Sequence, residues 1–200
     1  MTIINDLRSA ICTSFKDAYA LNDLAHRETH FEEVFQCGKH INKTLGFNFR
    51  ERDILFAAYF HDMFAWSRNN HHILSKVWFQ TTDHPLVLES YYDKDHFRTQ
   101  VAFACGEHRA SFKGSFTYAF SELINSADRG FPGDIPAMVE RSRLYWLTHR
   151  PNMSDDERMA GVIAHLKEKF GRNGYARTPK MWRAVFKDQL EARIEGIESL

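Results

Sequence analysis

Apolar residues recur every three to four positions along most of this chain, and strictly alternating stretches are scarce. That spacing lines one face of an α-helix, so the pattern predicts an all-α fold. A first helix over about residues 2–21 carries Ile3, Leu7, Ile11, Phe15 and Ala18 on one stripe. A second, about 28–45, has Val34, Cys37, Ile41 and Leu45 on one face and stops at Gly46, where a glycine can take the left-handed conformation that ends a helix. A third is announced by Asn48 with Glu51 three residues later, a capping-box pattern, and runs through Ile54, Leu55 and Ala58 to about residue 62.

Residues 66–82 are polar and aromatic without a clean period, which predicts a loop or short irregular helix over a pocket. A short helix then starts near His84 and Pro85, with His84, Leu88 and Tyr91 aligned. Phe97, Val101, Ala104 and Cys105 mark a helix over about 95–109, and Phe120, Ile124 and Ala127 mark another over 115–128. The turn-rich segment 129–136 breaks the pattern, and three more helices follow at about 137–149, 154–170 and 179–197, the second opened by the capping pair Ser154 and Glu157. With 200 residues, few glycines and no low-complexity tract, the chain is expected to form one domain over 1–200.

Charge narrows the choice of partners. Lys plus Arg and Asp plus Glu both number 26, so the formal net charge is zero, and no whole-chain attraction to nucleic acid or a membrane surface follows. Cys12, Cys37 and Cys105 are odd in number and lack a CxxC spacing, which fits a reducing cytoplasm and argues against a disulfide framework. Neither a signal-peptide core nor a run near the roughly 18 apolar residues of a membrane span is visible. The basic amphipathic stretch around Trp182, Val185, Phe186 and Leu190 suits packing or a homodimer contact.

Histidine is what stands out, at 11 residues. His30, His61, Asp62, His108 and Asp128 fall on apolar faces of four expected helices, and His84 begins a fifth. A buried polar group without a partner costs about 1–3 kcal/mol, and more when charged. One shared cation site satisfies these groups together, and imidazole nitrogen with carboxylate oxygen suits Mn, Fe, Co, Ni, Zn or Mg. Chance alone gives a chain of this composition roughly one His-Asp pair, so the dipeptide at 61–62 carries weight only through its neighbours. His71 and His72 lie in the polar segment and are expected to face solvent.

The order is His30, the pair His61-Asp62, then His84, His108 and Asp128, within HFEEVFQCGKHINKTLGF, DILFAAYFHD, DHPLVLES, VAFACGEHR and ELINSADRG. This pattern resembles the HD-domain superfamily of metal-dependent phosphohydrolases, over a core of about 26–130 with a helical extension at 135–200 packed on it. The resemblance implies that His30, His61, Asp62 and Asp128 hold a first metal, and that His84 and His108 complete a second that the HD aspartate bridges. Met63, Phe64 and Ala65 replace the Ile-Gly-Lys that follows the pair in many members, and no GYP motif is present.

The resemblance further implies hydrolysis of a phosphate ester or anhydride on a small molecule, expected to be a nucleotide, with His61 and Asp62 at the catalytic centre and one or two divalent ions activating water. Arg109, Lys113 and Arg129 lie beside ligand positions and are the expected phosphate contacts, with Arg68 and Lys76 in the polar segment. Aromatic residues Tyr59, Phe64, Trp66, Trp78 and Phe79 form either a base-stacking surface or local core. Two other readings share the ligand set: a di-iron oxygenase of the same fold, and a nucleotide-binding module without turnover.

Overall fold

The computed structural model describes residues 3–88 and 94–200. Among them are ten helices and no strand, as the apolar spacing predicts. In chain order these are α1 (Ile3–Ala20), α2 (Glu28–Thr44), α3 (Glu51–Phe60), α4 (His71–Thr81), α5 (Pro85–Leu88), α6 (Lys94–Glu107), α7 (Ala119–Ala127), α8 (Ile135–His149), α9 (Asp155–Phe170) and α10 (Lys180–Glu198). Tyr91, expected on the α5 stripe, lies outside the described residues.

Helices α2, α3, α6 and α7 form the centre. Helix α2 packs on α3 and α7, α6 packs on α3, α4 and α7, and α1 covers α3. The space between them is filled largely by phenylalanine: Phe31, Phe35, Phe56, Phe60, Phe79, Phe97 and Phe120 are all buried. Ring edges meet ring faces there, as between Phe56 and Phe97 at 5.4 Å and Phe15 and Phe60 at 4.9 Å, the arrangement that the aromatic quadrupole favours. Tyr59, Trp78 and Phe79 belong to this core, with Trp78 stacked on Phe60 at 5.2 Å. Of the aromatics considered for base stacking, Trp66 is the exposed one.

The C-terminal helices build a second, smaller apolar cluster of Val162, Leu166 and Ile197, with Ile135, Met138, Val139, Trp146 and Phe170 against it. Helix α10 joins the two clusters. Its first half places Met181, Trp182 and Phe186 in the main core, and its last turn places Ile197 in the second. The Trp182 indole donates to the Gly130 carbonyl at 2.8 Å, and the Arg193 guanidinium donates to the Arg129 carbonyl at 2.8 Å, so α10 is pinned to the turn that follows α7. Helix α8 buries no residue fully and packs mainly on α9. No helix among the described residues is long and apolar enough to cross a membrane.

Three local expectations are corrected. The segment 66–82 contains the regular helix α4, whose buried residues are His71, Ser75 and Phe79 at four-residue spacing. Its outward face carries Ile73, Leu74 and Val77, and two of its three buried residues are polar, which conceals the period. Asn48 does not cap α3. Arg50 holds that position, its side chain donating to Asp53 and not capping the helix, while the Asn42 amide, reaching back from α2, donates to the Phe49 carbonyl at 3.0 Å and sets the α2–α3 turn. His71, expected in solvent, is buried. The Ser154–Glu157 box forms as expected, and Gly46 ends α2 with φ of +69°, a value costly for any residue with a Cβ.

Close approach of the central helices depends on Gly38. A Cβ there would stand 2.9 Å from Ile54 Cγ2 and 3.5 Å from Ala127 Cβ, so α3 and α7 both press on this point of α2. Gly38→Ala is therefore expected to cost about 1–3 kcal/mol of stability through overpacking, read as a lower midpoint in urea denaturation with an unchanged m-value.

Candidate metal centre

The ends of the central helices converge on one place. His30 comes from the first turn of α2, His61 and Asp62 from the end of α3, His71 from the first residue of α4, His108 from just beyond α6 and Asp128 from the C-cap of α7. Gly130, at φ of +68°, turns the chain away immediately after Asp128. His30, His61, Asp62, His71 and His108 are buried, and Asp128 nearly so.

Asp62 stands at the centre with its two oxygens divided. Oδ2 lies 3.2 Å from His61 Nε2 and 3.6 Å from His30 Nε2, while Oδ1 lies 3.3 Å from both His71 Nε2 and His108 Nε2. Asp128 Oδ1 completes the first group, 3.3 Å from His30 Nε2 and 3.9 Å from His61 Nε2. Two groups of donor atoms thus share one carboxylate, and buried His/Asp groups of this kind can hold metal.

Hydrogen bonding identifies the free lone pairs. His61, His71 and His108 each donate Nδ1–H to the backbone carbonyl three residues earlier, Ala58 at 2.8 Å, Arg68 at 3.0 Å and Cys105 at 2.7 Å. A carbonyl can only accept, so each ring, when neutral, presents Nε2 as a bare acceptor. His71 Nε2 and His108 Nε2 lie 3.3 Å apart, each 3.3 Å from an acceptor-only carboxylate oxygen. With both rings neutral, three acceptors face one another with no hydrogen between them. A cation resolves this: donors held at about 2.1 Å from one ion stand roughly 3.0–3.4 Å apart in octahedral and tetrahedral arrangements. The donor set therefore fits a divalent metal, and the ring-to-carbonyl bonds are the outer contacts that orient metal-binding histidines.

The electrostatics agree. Burial alone would raise both carboxyls, yet Asp62 is held well below the usual carboxylate range by His61, His108 and His30, and Asp128 by Arg129 and His30. Both are ionised at neutral pH. Burial, with His108 alongside, pushes His71 down to about 3 despite the Asp62 charge, so its lone pair is free. His30 differs: Arg141 of α8 donates to its Nδ1, and its Nε2 faces Asp128 with a proton that a bound cation would have to displace. Cys37, pushed up to about 12 by burial, and Cys105, also raised, are unsuited to nucleophilic work.

Five of the six metal positions expected from the sequence meet here, and His84 does not. Its ring packs on Phe15 at 4.7 Å, and its Nδ1 accepts from the Leu86 amide at 3.3 Å, so it caps the short α5. His71 stands in the place expected of it. The signal that would have found His71 is its four-residue spacing from Ser75 and Phe79. A further pair escaped the sequence reading: the His26 Nδ1–H donates to Asp23 Oδ1 at 2.7 Å, and His26 Nε2 lies 4.0 Å from Asp62 Oδ2.

The cluster opens on a cavity of about 520 Å³ whose far wall is made by α8 and α9. Arg68, Arg109, Arg129, Arg141 and Lys169 all line it. Of the expected phosphate contacts, Arg109 reaches the cavity and so does Arg129. The Arg129 guanidinium is already bonded to the Asn125 and His108 carbonyls and to Asp128, however, so it braces two ligand positions. Lys113 is exposed and lies off the cavity, and Lys76 rests over the Phe103 ring at 3.7 Å. Arg141 and Lys169 had no local signal, because only the tertiary packing of the last three helices brings them to the site.

Comparison with protein-family models, with curated proteins and with solved structures finds no match for this chain.

Two outcomes follow. Metal titration of the chelator-treated protein is expected to show two Mn²⁺ sites, one of them lost in His71→Ala and neither lost in His84→Ala. Acid is also expected to destabilise the metal-free protein. The unfolded His71 takes up a proton near the ordinary imidazole value of about 6.5 and the folded one only near 3. Stability therefore falls as pH drops through that window, and the fall should be shallower in His71→Ala when followed by thermal melting.

Proposed function

We propose that this chain is an HD-type metal-dependent phosphohydrolase acting on a small phosphorylated molecule, with a nucleotide as the substrate class. The observation that carries the reading is the division of Asp62 between two histidine groups, with His71 Nε2, His108 Nε2 and Asp62 Oδ1 all 3.3 Å from one another. The order His30, His61-Asp62, His108, Asp128 supports it, and so does a cavity whose other walls are cationic. When bound, divalent ions supply Lewis acidity toward a phosphoryl oxygen and make water acidic enough to be used near neutral pH.

The remaining parts belong to the protein. His30, His61, Asp62 and Asp128 would hold one ion, and Asp62, His71 and His108 the other. Arg109 offers N–H groups to phosphate oxygens at the cavity mouth. Arg129 keeps the His108 backbone and the Asp128 carboxylate in register. His26 stands beside the cluster, its Nδ1–H committed to Asp23 and its Nε2 accepting from Arg68 at 3.3 Å. Burial holds this ring's proton affinity down. The cationic lining suits a phosphorylated substrate.

The test is phosphate or pyrophosphate release from ribo- and deoxynucleoside mono-, di- and triphosphates with Mn²⁺, Co²⁺ or Mg²⁺ added. Turnover of at least one substrate is expected, reduced by a factor of about 100 or more in Asp62→Ala while far-UV circular dichroism stays helical. Silence across the panel with metal demonstrably bound would refute the proposal.

A further inference from the structure

Cations gather at the α8–α9 wall of the cavity: Lys169 of α9 and Arg141 of α8, with Arg68 reaching over from the segment before α4. The Lys169 ammonium lies over the ring of Phe170, at 4.8 Å. Arg68 leans over the Tyr145 ring at 4.8 Å and uses one N–H on His26, and Arg141 uses one on His30. A guanidinium has five N–H donors, so most of those on both arginines remain available. Among the described residues no carboxylate forms an ion pair with Lys169, Arg68 or Arg141. Asp62 and Asp128, the carboxylates that line the cavity, are engaged by imidazoles and by Arg129. Burial and the neighbouring arginines push the Lys169 ammonium down to about 7, the direction expected of a cation that lacks its counter-ion.

Concentrating three cations beside Arg129 costs electrostatic free energy, which an anionic ligand would offset. The phosphoryl group that reacts belongs at the His/Asp cluster. Arg141 touches the cluster through His30, and Lys169 and Arg68 line the same cavity as Arg109, so together they hold more positive charge than one phosphoryl group offsets and call for a second anionic group. Tyr145 and Trp146 on this wall leave room for an apolar portion of the ligand.

We infer that Lys169, Arg141 and Arg68 form an anion subsite on the C-terminal wall, which takes a second phosphoryl group, so that the substrate class is a phosphoanhydride such as a nucleoside di- or triphosphate. The inference rests on the proposed phosphohydrolase reading for its reacting end, but the subsite consists of protein cations and can be tested without metal or turnover. The C-terminal helices thereby select substrates by the number of phosphoryl groups.

The experiment is calorimetric titration of the chelator-treated full chain with inorganic tripolyphosphate and, separately, with orthophosphate, at one ionic strength. Native protein is expected to prefer tripolyphosphate by about tenfold or more, the size of one charge-assisted hydrogen bond. Lys169→Gln is expected to remove most of that preference while leaving orthophosphate binding unchanged. Arg68→Gln, a change at an exposed position that leaves the fold intact, is expected to do the same, and Lys113→Gln, off the cavity, to do nothing. Equal affinity of the native chain for both anions would overturn the inference, as would equal weakening of both by Lys169→Gln or an equal loss in Lys113→Gln. A chain that fails here yet hydrolyses monophosphates keeps the proposed activity and loses the subsite. A chain that shows the preference but hydrolyses nothing in the nucleotide panel does the reverse.

Discussion

Three polar atoms, His71 Nε2, His108 Nε2 and Asp62 Oδ1, face one another at 3.3 Å inside the protein. Much of the structure is arranged to keep them there. Each of the two rings spends its Nδ1–H on a backbone carbonyl of its own turn, so neither can rotate to relieve the contact without losing a buried hydrogen bond. The other oxygen of Asp62 is held the same way by His61, whose ring is fixed by the Ala58 carbonyl. Imidazole nitrogens and carboxylate oxygens buried in this manner could hold a cation, which would satisfy them together.

The helices supply the rigidity that this constraint demands. Ligand positions come from five different elements, and the contacts that bring those elements together are the large aromatic core and the close approach at Gly38. Arg129 and α10 tie the last ligand to the C-terminal layer, since Arg129 bonds Asp128 and the His108 carbonyl while Arg193 bonds the Arg129 backbone. The extension thus performs two tasks. It braces the metal cluster from behind through α10, and it closes the cavity in front through α8 and α9.

How much of this was legible in the sequence depends on how locally each feature is encoded. Helices with a single apolar stripe, such as α2 and α7, could be read together with the ligands on them, because His30 sits one turn before Val34 and Asp128 follows Ala127 directly. Helix α4 could not, because its inward face is His71, Ser75 and Phe79 and its outward face carries Ile73, Leu74 and Val77. The same pattern made His71 look like a solvent histidine and let His84 take its place, although His84 is spent on capping a short helix. Arg141 and Lys169 lie far along the chain from the ligands, on helices whose pattern speaks only of packing. Their arrival at the cavity is a product of how α10 docks, and no spacing rule encodes it.

The central claim is that Asp62 joins two cation sites into one centre. Electron paramagnetic resonance of the protein loaded with two equivalents of Mn²⁺ tests it most directly, because a shared carboxylate couples the two ions magnetically. The account predicts the spectrum of an exchange-coupled pair. A spectrum of isolated Mn²⁺ ions at full occupancy would contradict it.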